Sequence, residues 1–216
     1  MTYTNTEKLK SLLSELPSWY VEIINAIPKD SMAISTKCGY CRDVMCFFDF
    51  LKANNPLYKD YCYKDFSLTD MERFTVNDAN EYNASMSDLS SSTISRRLAA
   101  VSSMYIELMR SNKVKENPFA FIRRPKQKKG VITYLTEEEM KNLFRVIKSG
   151  EGLSEKELKY HDPIRDTALF SLFLDTGLRI SEVTNLNIKD IDFAEHFVIV
   201  TRKGGNKDKI YFRSEE

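Results

Sequence analysis

The sequence predicts a mainly α-helical protein, in which a helical bundle precedes a smaller α+β unit that contains a β-hairpin. Apolar residues recur at helical spacing through the first 110 residues, while strand-type alternation around a glycine turn is confined to residues 197–212. A stretch rich in proline and cations, at residues 117–130, separates the two regions. At 216 residues, the chain has room for one large or two modest domains.

The first region is predicted to form five helices with recognisable boundary residues. Pro17 ends the first helix, and Ser18 is expected to cap the second. Ser35 or Thr36 is expected to cap the third, and a serine run supplies caps for the last. We interpret Leu57–Thr75, which is aromatic-rich without a clear period, as a loop with one short helical turn. The predicted helices are Thr6–Leu16, Ser18–Ile27, Ser35–Lys52, Val76–Met86 and Ile94–Arg110.

Helical spacing also predicts which faces of the two longest helices point into the core. The apolar positions of the third helix share one face, and those of the fifth helix share another. These predicted core residues are Tyr40, Val44, Phe47, Phe48 and Leu51 on the third helix, and Ile94, Leu98, Val101, Tyr105 and Leu108 on the fifth.

The second region follows the segment Arg123–Gly130, in which five of eight residues are cationic. We interpret this segment as a linker between domains at residues 1–122 and 131–216. Thr136 with Glu139 forms a capping-box pattern, and Gly177 suits a left-handed helix end. The predicted elements are a helix ending at Lys148, a charged insertion or short helix at Glu151–His161, helices Pro163–Thr176 and Ile180–Leu186, a turn at Lys189–Asp192, and strands Phe197–Thr201 and Lys209–Phe212 joined through Gly204-Gly-Asn206.

Composition and cysteine placement exclude several classes of protein. With 42% hydrophobic and 29% charged residues, and no apolar run near the ~20 residues of a membrane helix, we expect a cytoplasmic protein. Cys38 and Cys41 have the CxxC spacing of a redox pair, but they lie within a predicted helix with no strand before it. Together with Cys46 and Cys62 they could hold zinc only if the distant Cys62, which has no CxxC partner, folded back. We interpret all four as core or surface thiols and expect no metal or cofactor.

The formal net charge of +1 conceals an uneven distribution along the chain. Residues 1–93 carry a net charge of −4, residues 94–129 carry +8, and residues 130–216 carry −3. A basic middle between acidic flanks is consistent with nucleic-acid binding. A lysine-rich, solvated linker would give the same pattern, so charge alone leaves both interpretations open.

Two cations of the second region lie at positions suited to binding or reacting with a phosphate. Arg179 follows a predicted helix end and precedes a new helix, a position that holds a guanidinium rigidly for two phosphate oxygens. Its alternative role is a salt bridge with Glu182 or Asp175. Lys203 is predicted at the turn of the hairpin, where it is either functional or a solvated turn lysine.

The sequence letters around these cations favour the functional interpretation. Arg165-Asp-Thr-Ala-Leu-Phe-Ser-Leu-Phe-Leu-Asp-Thr-Gly-Leu-Arg-Ile-Ser-Glu-Val-Thr-Asn-Leu186 resembles the first catalytic box of the tyrosine recombinases, the phage-integrase family. The resemblance implies that Arg179 binds the scissile phosphate and that Glu182 supports it from behind. Phe197–Lys207 is similar to the second box, which implies that Lys203 protonates the leaving 5′ hydroxyl; one extra glycine makes Lys207 a weaker candidate.

The first region resembles the family's helical core-binding (SAM-like) domain. The resemblance covers residues 89–105, the following Asn117-Pro118, and Ser35–Leu51. It implies that this domain and the partial α+β catalytic domain clamp double-stranded DNA, with the basic linker along the phosphates. The implied DNA-binding residues are Ser92, Thr93, Arg96, Arg97, Arg123, Arg124, Lys126, Lys128 and Lys129; a solvated helix face remains the alternative for Arg96 and Arg97.

The rest of the family's site is not matched in these 216 residues. Neither His161 nor His196 fits its His-x-x-Arg box, and no tyrosine follows Tyr211, which lies in the predicted hairpin. The leading hypothesis is a site-specific recombinase or integrase that acts as a tetramer on DNA when full length, with this chain monomeric and inactive. A non-catalytic integrase-like DNA-binding protein and a helical protein-interaction module are the alternatives.

Overall fold

The computed structural model describes residues 4–28, 31–126, 131, 133–202 and 205–213. The chain divides into two compact units, Met1–Gly130 and Val131–Glu216. The first is helical, and the second combines helices with a small antiparallel sheet. This agrees with the predicted mainly α fold class.

Six α-helices form the described part of the first unit. Thr4 begins α1 with a capping box, and Ser90 accepts a hydrogen bond from the Thr93 amide at the start of α6. The expected caps of the second and third helices are wrong, because Pro17 and Ala33 occupy those N-cap positions and neither offers a side-chain acceptor. The helices are α1 Asn5–Glu15, α2 Ser18–Ala26, α3 Ile34–Asn54, α4 Leu68–Arg73, α5 Val76–Ala84 and α6 Ser91–Arg110.

Aromatic side chains from several helices form the centre of the first unit. Phe47 on α3 makes edge-to-face contacts with Phe74, Tyr82 and Phe119, with ring centroids 5.0 to 5.8 Å apart. The predicted inward faces of α3 and α6 are confirmed with one exception. Tyr40 is only half-buried and lies outside the core.

The interpretation of Leu57–Thr75 as mostly loop was wrong. This segment contains 3₁₀ turns at Pro56–Tyr58 and Tyr63–Asp65 and the helix α4, each too short for a periodic pattern to be recognised. Three of its aromatic residues, Tyr58, Phe66 and Phe74, are core residues. Phe66 stacks on Phe48 with a centroid distance of 4.4 Å, and the Trp19 indole donates to the Phe66 carbonyl at 2.8 Å.

The second unit contains four helices and three strands in its described residues. Predicted features that are confirmed include the Thr136 capping box and the left-handed Gly177 at the end of α9, with φ of 61°. The predicted helix from Ile180 is shorter than expected. The elements are α7 Glu137–Ser149, α8 Glu155–Leu158, α9 Pro163–Thr176, α10 Ile180–Val183, β1 Ile191–Asp192, β2 Phe197–Thr201 and β3 Lys207–Tyr211.

The strands form an antiparallel sheet in the order β1-β2-β3. Thr201 pairs with Lys207 and Phe197 with Tyr211 in the predicted hairpin, whose second strand begins two residues before the predicted Lys209. The strand β1 was missed, because its two residues follow a 3₁₀ turn and were interpreted as part of that turn. Val198 and Val200 point from β2 into a small core with Leu178 and Val183.

Candidate functional site

Arg179 is held by the backbone on both sides while its side chain faces solvent. Gly177 terminates α9 in the left-handed conformation. The side chain of Leu178, which follows, is buried in the small core and fixes the backbone before Arg179. Arg179 is then the extended N-cap residue of α10. Its side chain is 71% exposed, so most of the guanidinium is available to a ligand.

Glu182 is a buried carboxylate directly behind Arg179. Its side chain is only 4% exposed, and it accepts hydrogen bonds from the Arg179 amide at 2.8 Å and from Arg179 Nη1 at 3.0 Å. The pKa of Glu182 is lowered, chiefly by the hydrogen bond from the Arg179 amide and further by the guanidiniums of Arg179 and Arg202, against the opposing effect of burial. Glu182 is therefore an anion near neutral pH.

The proposed alternatives for Arg179 are compatible in this geometry. The salt bridge with Glu182, which was the alternative to phosphate binding, is present. It engages only Nη1 of the guanidinium and leaves the side chain largely exposed. A guanidinium has five donor N–H groups, so the remaining donors can bind an anion. Asp175, the other candidate partner, instead accepts from the Arg213 amide at 3.3 Å.

Arg202 is the third member of the cluster that contains Arg179 and Glu182, and the sequence did not predict it there. Its Nη1 donates to Glu182 Oε2 at 3.0 Å, and its Nε donates to Asp208 Oδ2 at 3.1 Å. These two carboxylates, Asp208 first, raise the pKa of Arg202. The pairing with Asp208 could have been predicted from the sequence, because Asp208 lies only six residues away across the predicted hairpin. The pairing with Glu182, twenty residues away on another element, could not.

The other predicted catalytic residue, Lys203, lies outside the described residues. The chain is described on both sides of it: the Arg202 amide donates to the Asn206 carbonyl at 2.7 Å, and the Gly205 amide donates to the Arg202 carbonyl at 3.0 Å. Gly205 has φ of 88°, which explains a glycine at that position. The role of Lys203 stays a prediction.

The two predicted DNA-binding arginines of α6 differ in their contacts within the protein. Arg96 pairs with Asp43 on α3, whose side chain is 3% exposed, while the Arg96 side chain stays 52% exposed. Burial raises the pKa of Asp43, and the charge of Arg96 opposes that rise. Arg97 is half-buried, and its Nε has no hydrogen-bond partner among the described residues.

The remaining predicted DNA-binding residues lie at the start of α6 and in the linker. Thr93 and the exposed Ser92 have hydroxyls within hydrogen-bonding distance of Ser90 Oγ, at 2.9 and 3.1 Å. In the linker, the described residues Arg123, Arg124 and Lys126 are exposed, and Lys128 and Lys129 lie outside the described residues. These assignments also stay predictions.

The cysteines are free thiols in the structure. Cys38 and Cys41 are buried on α3, which agrees with their interpretation as core residues, and burial raises the pKa of Cys41 to about 12. Within the described part of the chain, no group of three or more His, Cys, Asp or Glu side chains could hold a metal ion. The described helices also include none that is both long and apolar enough to cross a membrane.

Residues 133–216 match the phage integrase family, and curated relatives extend the similarity. The tyrosine recombinase XerC of Bacillus subtilis (strain 168) is 35% identical over 126 residues, which are 58% of this chain and 38% of that protein. XerC of Chlorobaculum tepidum is 28% identical over 183 residues, which are 81% of this chain and 53% of that protein. The matches thus span about two fifths to half of the relatives' length.

Solved structures of recombinases share the fold of this chain. One is the Tn1549 transposon integrase in complex with circular intermediate DNA, with a TM-score of 0.59, 20% identity, and coverage of 94% of this chain and 60% of that one. Another is the XerH recombinase bound to its difH substrate, with a TM-score of 0.54, 15% identity, and coverage of 95% and 62%. Residues 133–216 thus match the phage integrase family, the chain is similar to XerC tyrosine recombinases, and its fold is shared with solved recombinase structures.

Proposed function

We propose that this chain contains the core-binding domain and the first part of the catalytic domain of a site-specific recombinase or integrase. The full enzyme breaks and rejoins DNA through a 3′-phosphotyrosyl intermediate. One observation carries the proposal: an exposed Arg179 guanidinium is held in place by a buried, ionised Glu182 within the segment that matches the family. The domains are proposed to be residues 1–122 and 131–216, joined by the basic linker 123–130.

In this mechanism, Arg179 binds two nonbridging oxygens of the scissile phosphate with donors that Glu182 does not engage. A tyrosine oxygen attacks phosphorus, the P–O5′ bond breaks, and the 5′ oxygen leaves. Negative charge grows on the phosphate oxygens at the transition state, where a pre-positioned guanidinium stabilises it most. Lys203 donates the proton that the leaving 5′ oxygen takes up.

The reaction also requires groups that are not matched within these 216 residues: the nucleophilic tyrosine and the family's His-x-x-Arg box. Rejoining reverses the step, because a 5′ hydroxyl attacks the phosphotyrosyl bond. Neither step consumes a nucleotide or requires a metal ion. We propose that the full-length enzyme supplies the remaining groups and that this chain by itself binds DNA without cutting it.

Double-stranded DNA is the proposed partner, and residues 94–129, with a net charge of +8, supply most of the attraction. The Tn1549 and XerH structures contain DNA, which supports this assignment. Full-length enzyme is proposed to act as a tetramer in the cytoplasm, and this chain to be monomeric. The Tn1549 resemblance also fits an integrase of a mobile element.

A second candidate is a non-catalytic integrase-like protein that occupies recombination sites. Such a protein would need only the basic segment at residues 94–129, with its net charge of +8, and no active site. Both candidates predict salt-sensitive DNA binding, so binding alone does not separate them. The native reading frame separates them: a His-x-x-Arg box and a tyrosine beyond residue 216 support the enzyme, and a stop codon there supports the binding protein.

The test of the enzyme is covalent trapping. The product of the whole reading frame is incubated with a duplex carrying a nick next to the cleavage site, so that the short leaving strand diffuses away. We expect an adduct that survives denaturing electrophoresis and disappears in Arg179→Ala, whereas Arg213→Ala retains it. Absence of an adduct with a duplex that the protein binds would overturn the recombinase proposal in favour of the second candidate.

A further inference from the structure

Arg202 connects two elements that are separate in sequence. It lies at the end of β2, at the base of the hairpin turn, and its Nη1 reaches Glu182 on α10 at 3.0 Å. Its Nε reaches Asp208 on the opposite strand at 3.1 Å. One guanidinium thus connects both strands of the hairpin to the helix that begins at Arg179.

Glu182 divides its two oxygens between the two arginines. Oε1 accepts from Arg179 Nη1 and Oε2 accepts from Arg202 Nη1, each at 3.0 Å. The Arg179 amide also donates to Oε2 at 2.8 Å. Because Glu182 is 4% exposed, solvent cannot replace a lost partner at little cost. The Arg202 guanidinium is therefore one of three donors that together fix the orientation of the carboxylate.

The arginines differ in exposure, and this difference separates their roles. Arg179 is 71% exposed and uses one side-chain nitrogen within the protein, whereas Arg202 is 30% exposed and uses Nε and Nη1. Arg179 is suited to meet a ligand. Arg202 is suited to hold other protein groups, which its planar, forked set of donors does better than an ammonium.

We propose that Arg202 is a positioning residue, which orients Arg179 through Glu182 and fixes the base of the hairpin that carries Lys203. Its significance for DNA chemistry rests on the proposed function. The positioning itself is a property of the protein without DNA. In this assignment Arg202 touches no substrate, and its loss acts by removing one of the three donors that hold Glu182.

The first arm of the test uses NMR spectroscopy of the chain without DNA. Within the part of the chain that the structure describes, the charged groups around the Glu182 carboxyl are Arg179 and Arg202, with Asp208 beyond Arg202. In Arg202→Gln we expect the titration midpoint of the Glu182 side-chain carbon to rise and the Arg179 Nε–Hε signal to shift. Lys209→Gln removes a cation from the same hairpin that lies over the Phe197 ring, and both readouts should stay in place.

Rescue by the conservative variant completes this arm. Arg202→Lys retains the charge but places its donors on a single nitrogen, whereas Arg202 reaches Glu182 and Asp208 with two separate nitrogens. We expect an intermediate midpoint for Glu182. If Arg202→Gln, folded by circular dichroism, leaves both the Glu182 titration and the Arg179 signal unchanged, the positioning role is wrong, whether or not the chain binds DNA.

The second arm measures affinity for a short DNA duplex at low salt by fluorescence anisotropy. Arg179→Gln and Arg202→Gln should each weaken binding, and the double variant should lose less than the product of the two single losses, by at least about twofold. Independent, multiplicative losses would overturn coupling through Glu182. If the unmodified chain binds no DNA, the proposed function fails, and the NMR arm alone decides the role of Arg202.

Discussion

The two units of this chain bury their apolar residues to very different extents. Among the described residues, the core of the first unit contains 25 buried residues and that of the second contains four. The contrast is clear between two helices: α6 buries eight of its 20 residues, whereas α9, with 14 residues and an apolar sequence, buries none. Ile164 on α9 is 84% exposed and Leu174 is 47% exposed.

This comparison shows that an apolar sequence does not by itself make a helix buried. Local sequence gives α9 its start at Pro163 and its end at Gly177. Burial requires other elements to cover its faces, and the described residues cover α9 only in part. Since burial is the main favourable term in folding, we expect the first unit to be the more stable of the two.

Phe47→Ala and Phe170→Ala test this contrast most strongly. Phe47 is fully buried, so its loss should destabilise the first unit by about 3–5 kcal/mol. Phe170 is 39% exposed, and its truncation should leave the first unit unchanged. Trp19 is the only tryptophan, so its fluorescence during urea unfolding reports on the first unit. Equal shifts of the Trp19 midpoint would contradict the assignment of separate cores.

The helix-capping residues of the two units provide a second comparison, with a smaller expected effect on stability. Ser90 caps α6 and Thr136 caps α7, each by accepting a backbone amide hydrogen bond. Alanine at either position should cost its own helix about 1 kcal/mol. Ser90→Ala should lower the Trp19 unfolding midpoint, and Thr136→Ala should not, although it lowers the helical signal in circular dichroism. A Trp19 shift in Thr136→Ala would mean that the units unfold together.

Acid should affect the second unit through Glu182. Because its pKa is lowered in the fold from the usual 4.5, its stabilising contribution is fully present above about pH 5. That contribution is lost as the pH falls through the lowered pKa. The protection of the β2 and β3 amides against hydrogen exchange, relative to the intrinsic rate, should fall over this range, and Glu182→Gln should remove that part of the pH dependence. If the pH profile of hydrogen exchange were the same in Glu182→Gln, the proposed contribution of Glu182 would be contradicted.

The last comparison separates an arginine that stabilises the fold from one that is proposed to contact DNA. Arg96→Gln leaves the buried Asp43 without its partner and should lower the Trp19 unfolding midpoint. Arg123 is exposed in the linker, and Arg123→Gln should leave that midpoint in place. If Arg123 contacts a phosphate, its loss reduces the slope of log affinity against log salt by about 0.9. An unchanged slope would remove Arg123 from the DNA interface.

Much of the fold could be predicted because its signals are local. Helical spacing located α3 and α6, and residues with special backbone preferences, such as Gly177, marked the ends. The short elements between Pro56 and Arg73 could not be predicted, since three- to six-residue pieces show no period and are held by aromatic packing. The strand β1 was missed for the same reason.

The sequence by itself predicted the resemblance to the phage integrase family and placed Arg179 and Glu182 in one motif, because that motif is contiguous. Only the tertiary structure decided how that motif is supported. It brought Arg202 to Glu182 across twenty residues and made the carboxylate a shared, buried acceptor. The physical reason is that a hydrogen bond depends on distance and direction in space, and the return of a hairpin onto a helix is not encoded at any single position.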